Sequence, residues 1–209
     1  MNTKSKIITV SIGLFLTVSL ALAADKSDDG WVSIFDGKSL KGWTPNEKPE
    51  SWSVKDGAIV GHGVRSHLYY MKEQFKDFEL KADVMINEGG NSGIYFHIAH
   101  HKDGWFYDGH EAQINNSHGD PVRTGSLWAV VKLYDSNAKD NEWFPMHITV
   151  KGQNIVVRVN GKVVVDYTEP EGATGPRHLG KGYIALQAHD PGSEVKFRNI
   201  QVKKLAPRK

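Results

Sequence analysis

Between Phe78 and Ile86 the chain sets apolar residues at every second position: Phe78, Leu80, Ala82, Val84 and Ile86, with Glu79, Lys81 and Asp83 between them. A period of two is the side-chain period of a β-strand with one buried and one wet face. A second constraint is Asn160-Gly161, which joins two β-branched runs at residues 154–159 and 162–167. Asn-Gly in that setting favours a type I′ turn and hence a hairpin. Asp36-Gly37 and Asp56-Gly57 are further turn pairs, and strand patterns recur at residues 31–35, 52–54, 58–60, 91–98, 110–115, 126–131, 143–150 and 183–189. The last strand spans residues 194–205, and its apolar parity changes between Phe197 and Ile200, which predicts a bulge near Arg198-Asn199. The fold expected is all-β, a two-sheet antiparallel jelly-roll sandwich.

The N-terminus has a different character. Lys4 and Lys6 precede an apolar, uncharged run from Ile7 to Leu22, and Ala21-Leu22-Ala23 supplies the small residues that a signal peptidase reads. The run is short for a membrane span, and polar residues follow it directly. A signal peptide is expected over residues 1–23 and a single β-sandwich domain over residues 24–209, periplasmic or secreted, with no membrane attachment after cleavage. The leader carries two of the 26 basic residues and none of the 24 acidic ones, so the mature chain is formally neutral. With no basic stripe to neutralise phosphates, nucleic acid is not expected as a partner. The absence of cysteine rules out a disulfide framework, a lipid-modified cysteine and thiol chemistry.

One strand is polar where a sandwich strand is usually apolar. In His110-Glu111-Ala112-Gln113-Ile114-Asn115 the period of two puts Glu111, Gln113 and Asn115 on one face. A carboxylate beside two amides suits a hydroxyl-rich ligand, or a hard divalent cation such as calcium held by Glu111. By the same parity Tyr95 and His97 share a polar face opposite Ile94, Phe96 and Ile98. Loops at residues 100–109, 117–124 and 135–141 carry aromatic and polar groups, and Trp105, beside Phe106 and Tyr107, is the best placed to stack on a sugar ring.

The ten histidines include no pair with helical zinc-site spacing, although His97, His100 and His101 lie close in sequence. The chain has no Gly-x-Ser-x-Gly elbow. A conventional glycosidase needs two carboxylates flanking the scissile bond. The strand supplies only Glu111, and the alternating pair Glu79 and Asp83 shares its face with Lys81, as on a solvated sheet.

Several segments together resemble one family. They are Trp31 to Trp43 (WVSIFDGKSLKGW), Trp52 to Ile59 (WSVKDGAI), Phe78-Glu79-Leu80, Gly90 to Tyr95 (GNSGIY), Glu111-x-Gln113-Ile114, Gly182 to Gln187 (GYIALQ) and Phe197-Arg198-Asn199-Ile200. In this order they are similar to the 3-keto-disaccharide hydrolase domain family, across essentially the whole mature chain. The resemblance implies a concanavalin-A-like sandwich in an exported bacterial protein of carbohydrate metabolism. It also implies action on sugars oxidised to a ketone at C3, by hydrolysis of the glycosidic bond or elimination across C1–C2. It places Asn91, Glu111, Gln113 and Gln187 at family positions, with His189 two residues beyond Gln187. Glu111 is then expected as base or cation ligand and His189 as its acid/base partner. Asn91, Tyr95, His97, Trp105, Gln113, Asn115 and Gln187 are expected to bind substrate. The family often has arginine at the place of His97, and Asp190-Pro191-Gly192 departs from its pattern. A non-catalytic carbohydrate-binding module and a two-carboxylate glycosidase are the alternatives.

Overall fold

The computed structural model describes residues 29–206. The expected signal peptide at residues 1–23 lies outside them. In order, the strands are β1 (Val32–Ser33), β2 (Trp43–Pro45), β3 (Trp52–Lys55), β4 (Ala58–His62), β5 (Ser66–Tyr70), β6 (Phe78–Ile86) and β7 (Ser92–Ile98). They continue with β8 (His110–Ile114), β9 (Phe144–Lys151), β10 (Asn154–Val159), β11 (Lys162–Thr168), β12 (Tyr183–Ala188) and β13 (Glu194–Lys204). The helical content among the described residues is one 3-10 turn, Pro49–Ser51. All strand pairs are antiparallel.

Two sheets face each other. The larger runs β11-β10-β9-β6-β13-β4-β3, with β1 also paired to β13, and the smaller runs β2-β5-β12-β7-β8. Phe78, Leu80, Val84 and Ile86 of β6 meet Ile94, Phe96, Ile114, Ile184 and Leu186 in one core between them. Burying such side chains is worth roughly 1.5–3 kcal/mol each. The Asn160-Gly161 turn has both residues at positive φ, 52° and 75°, as a type I′ turn requires. The bulge in β13 falls between Arg198 and Gln201, with Asn199 at φ 52°.

The sheets differ in what lies on their outer faces. On β6, Glu79, Lys81 and Asp83 face out; Glu79 pairs with His147 at 2.7 Å, and Asp83 accepts from Asn199 at 2.7 Å. This is the solvated face that the alternation predicts. On the smaller sheet, every residue of β5, β7 and β8 is buried, and β12 is buried beyond Tyr183. Its outer face is therefore covered by loops, and polar side chains there are held out of bulk water.

One residue breaks the expected parity. Tyr183 pairs with Ile98 and Ala185 with Tyr95, so Ile184 on β12 spans both Phe96 and His97 on β7. His97 sits at φ 58° in this bulge. The backbone crowds it from both neighbouring segments, since a Cβ on Gly109 or Gly182 would overlap the His97 main chain. The extra residue returns Ile98 to the face of Tyr95, where it joins Tyr69, Phe106 and Ala185.

Candidate functional site

The outer face of the smaller sheet is organised in cross-strand rows. Tyr95 pairs with Glu111 and Gly93 with Gln113, while Gln187 pairs with His67 and Ala185 with Tyr69. Above this floor stand three loop segments, at residues 99–109, 116–138 and 169–182. Together they enclose a cavity of about 220 Å³ lined by Asn91, Tyr95, Glu111, Gln113, Gln187, His189 and by loop residues including Trp105, Asp120, Trp128 and Arg177.

Glu111 is the chemical centre. It is 4% exposed, and burial pushes its carboxyl up to about 7 from an ordinary 4.5, although the Tyr95 hydroxyl and Arg177 guanidinium pull it back and Asp120 adds repulsion. The shift puts a base where it gains and loses a proton near neutrality. Arg177 Nη2 lies 4.0 Å from Glu111 Oε2, and the guanidinium sits 4.9 Å above the Trp128 ring. It also donates to the carbonyls of Asp108 at 3.3 Å and Phe106 at 3.4 Å. Burial raises the Tyr95 hydroxyl well above its ordinary value, so it stays protonated while it accepts from Gln187 Nε2 at 3.0 Å.

The amides are half satisfied. Gln113 Nε2 donates to Asn91 Oδ1 at 2.7 Å, which leaves Gln113 Oε1 buried without a partner, and Gln187 Oε1 is likewise unpartnered. Unsatisfied buried acceptors cost about 1–3 kcal/mol each unless a ligand pairs them. His189, at the end of β12, shares a 2.7 Å hydrogen bond between Nδ1 and Asp190 Oδ2 and leans on the Trp105 ring at 5.0 Å. Burial works to raise the Asp190 carboxyl, but hydrogen bonds from His189 and Ser193 hold it below its ordinary value. An ionised Asp190 fixes the imidazole orientation and leaves Nε2 available. Trp105 is 41% exposed at the mouth, between His189 and the Arg65 guanidinium, which lies 5.4 Å from its ring.

Of the nine residues expected at the site, seven converge: Asn91, Tyr95, Trp105, Glu111, Gln113, Gln187 and His189 all line the cavity. Two sit elsewhere. His97, turned by its bulge, places Nε2 at 2.8 Å from the Lys76 carbonyl and accepts from the Gly180 N–H at 3.1 Å through Nδ1. Asn115 is fully buried and fixes the loop after β8: its Nδ2 donates to the carbonyls of Asp120 and Val122, and its Oδ1 accepts from His118 N and Arg123 Nη1. Residues 126–131 do not form a regular strand. Gln113 N donates to Ser126 O at 2.9 Å and Trp128 N to Glu111 O at 3.0 Å before the chain turns at Ala129, φ 62°. This irregular edge delivers Trp128 to the cavity.

Arg177, Trp128 and Asp120 carry no motif that singles them out in the sequence. For Arg177 the available signal was its place in a Gly/Pro-bearing loop at residues 172–182. His97, His100 and His101 point three ways, since His100 packs on Tyr69 and His101 pairs with Asp108 at 2.7 Å. Among the described residues, no group of three or more His, Cys, Asp or Glu side chains is arranged to hold a metal ion. The oxygens that a hard cation would use here are the Glu111 carboxylate and the unpartnered Gln113 and Gln187 oxygens.

A family model described as the 3-keto-alpha-glucoside-1,2-lyase-like domain matches residues 30–203. A 3-keto-disaccharide hydrolase of Bacteroides thetaiotaomicron is 29% identical, over 90% of this chain and 82% of its own length. Among solved structures, one proposed glycosyl hydrolase from Parabacteroides distasonis has a TM-score of 0.75 at 23% identity, covering 88% of this chain and 98% of the other. A second from the same organism has a TM-score of 0.67 at 27% identity, covering 84% and 99%.

Proposed function

The chain belongs to the 3-keto-alpha-glucoside-1,2-lyase-like domain family, and from that premise we propose that it is a carbohydrate-active enzyme cleaving glycosides already oxidised to a ketone at C3. The observation that carries this reading is Glu111, a single buried carboxylate held near neutrality at the floor of an amide-lined cavity. A C3 ketone acidifies the C2 proton, so one base suffices to start the reaction. Glu111 takes the C2 proton, and the electron pair of that bond enters the ring as an enolate with its charge on the C3 oxygen. Arg177 and the Tyr95 hydroxyl are the donors for that oxygen. The enolate then collapses to a C1–C2 double bond as the C1–O bond breaks, and His189, oriented by Asp190, protonates the departing oxygen. Release at this stage makes the protein a lyase; addition of water at C1, with the proton returned to C2, makes it a hydrolase. Gln113, Gln187 and Asn91 hold the sugar hydroxyls, and Trp105 takes a ring face at the mouth.

A calcium-like cation on Glu111 and the free amide oxygens would supply positive charge near the C3 oxygen, and turnover before and after chelation tests for it. The leader-like segment supports action in the periplasm or outside the cell.

A second reading rests on Asp120, which brings another carboxylate to the cavity and opens conventional hydrolysis by a carboxylate pair. Incubation with a 3-keto-disaccharide and with its unoxidised parent separates the readings. We expect product from the keto sugar alone, with exchange of its C2 hydrogen for solvent deuterium. Comparable product from the parent would establish the carboxylate pair instead. Saturable binding of the parent with no product from either sugar would make the protein a binding module.

A further inference from the structure

Beside the cavity lies a group that none of these steps uses. His67 on β5 belongs to the cross-strand row that continues through Gln187 and Gly93 to Gln113. It is fully buried, and both of its ring nitrogens lack a hydrogen-bond partner. Buried polar atoms are almost always paired, so an imidazole with two orphan nitrogens on a ligand-facing row calls for an explanation. What separates it from the cavity is Phe106, whose ring centroid is 4.1 Å from that of His67; Trp105 is 6.0 Å away and Tyr95 5.1 Å.

The polar ties of the cover to the body are long. Phe106 rides on residues 99–109, whose 2.7 Å pair between His101 and Asp108 is internal to the segment; outside it, Gly104 N donates to Glu47 Oε1 at 3.1 Å, His101 N to the Tyr69 hydroxyl at 3.3 Å, and Arg177 to the carbonyls of Asp108 and Phe106 at 3.3 and 3.4 Å. Gly104 and Gly109 flank Phe106 at φ 85° and 56°, conformations that few other residues adopt. Hydrogen bonds of this kind contribute about 0.5–1.5 kcal/mol each. Phe106 itself is buried and packs on Tyr69, Tyr95 and His101, so a ligand that displaces it from the trough over β5 must replace that apolar contact.

We propose that His67 is the recognition residue of a second sugar subsite, where the ring on the leaving-group side of the substrate displaces Phe106 and pairs its hydroxyls with the imidazole. Burial, reinforced by the Arg65 charge, pushes the imidazole pKa down to about 3, so the ring is neutral at working pH. A neutral imidazole has one donor and one acceptor nitrogen, a match for two sugar hydroxyls. Gln187, its cross-strand neighbour, contributes the free Oε1 between the two rings. The inference rests on the reading of the cavity as a sugar site.

The test is calorimetric titration of the full protein in a Glu111→Gln background, which keeps substrates intact, with methyl 3-keto-glucoside as one-ring probe and a 3-keto-disaccharide as two-ring probe. Adding His67→Leu should lower the ratio of two-ring to one-ring affinity about tenfold, the loss of about one good hydrogen bond. An unchanged ratio would overturn the subsite. Should His67→Leu fail to fold, the ring ¹⁵N resonances of His67 in the Glu111→Gln protein decide. They should move with the two-ring sugar only; an equal response to both sugars, or to neither, overturns the proposal. If neither sugar binds, the sugar-site reading itself has failed, and the subsite fails with it.

Discussion

The Glu111 carboxylate occupies the hollow that Gly93 leaves on the neighbouring strand: a Cβ at Gly93 would lie 3.0 Å from Glu111 Cδ, 2.9 Å from Cγ, and overlap Oε1. Gly93 is not at positive φ, so it is required here for space. Gly93→Ala should leave the strand paired and drive the carboxylate out of place. A misplacement of about 1 Å costs about a hundredfold in turnover. The expected result is a fall in kcat of that size with an unaltered circular dichroism spectrum. Retained kcat would show that the carboxylate position is not what the reaction needs.

The pH dependence follows from the same carboxyl. As a base, Glu111 must be ionised, so turnover of a 3-keto-glycoside should rise with pH through about 7. Arg177 opposes the upward shift by favouring the charged form. Arg177→Ala should therefore move the midpoint of the pH–rate profile upward. It should also lower kcat about 100-fold or more, as expected for loss of a donor to the developing enolate. A profile that stays put, or moves down, would separate Arg177 from Glu111 electrostatically.

Stability should respond in the opposite sense. The folded-state pKa of Glu111 lies above its ordinary 4.5, so between about 4.5 and 7 the folded protein binds the proton more tightly than the unfolded chain. Raising pH through that window costs stability, on the order of 3 kcal/mol once both states are ionised. Glu111→Gln removes that ionisation. Its Tm should match the wild type near pH 4 and exceed it above pH 7. Parallel Tm curves for the two proteins would contradict the raised pKa.

At the mouth, Trp105 is held between His189 and Arg65, with Arg65 paired to Glu47 at 2.9 Å. Trp105→Ala should raise KM about tenfold with a smaller effect on kcat, because the ring would stack on the sugar and takes no part in proton transfer. Steady-state kinetics on the keto sugar would show this split. A fall confined to kcat would place Trp105 nearer the chemistry.

How much of this could be read from the chain alone depended on whether a face met water. The β6 strand was legible because its two faces are chemically different, and the β10–β11 hairpin because its turn demands positive φ at Asn160 and Gly161. The polar strand β8 was legible for the converse reason, since Glu111 and Gln113 interrupt what a core would tolerate. By contrast β5, Ser66–Tyr70, is buried on both faces and mixes serine, histidine and tyrosine, so no alternation announces it. His67 lies within it and carries no motif of its own. His97 looked like a site residue because parity counting assumes one residue per pairing step, and a bulge shifts everything beyond it. Arg177 and Trp128 reach the cavity on irregular backbone, where spacing carries no directional information.

The smaller sheet, whose β5, β7 and β8 are buried throughout, divides the labour of the molecule. Its strands carry Glu111 and the amides on paired backbone, the outer side of β8 being held by residues 124–128, so change there disturbs core and site together. Of the loop segments above, residues 99–109 and 169–182 add only Phe106 and Leu179 to the apolar clusters, whereas residues 116–138 add Leu127 and Ala138 and close the edge of β8. Substrate preference in this scaffold should therefore drift through residues 99–109 and 169–182 while the floor and the segment that pairs with β8 stay fixed. An engineer who wants a new leaving group accepted has a defined set of positions to vary, and a short list to leave alone.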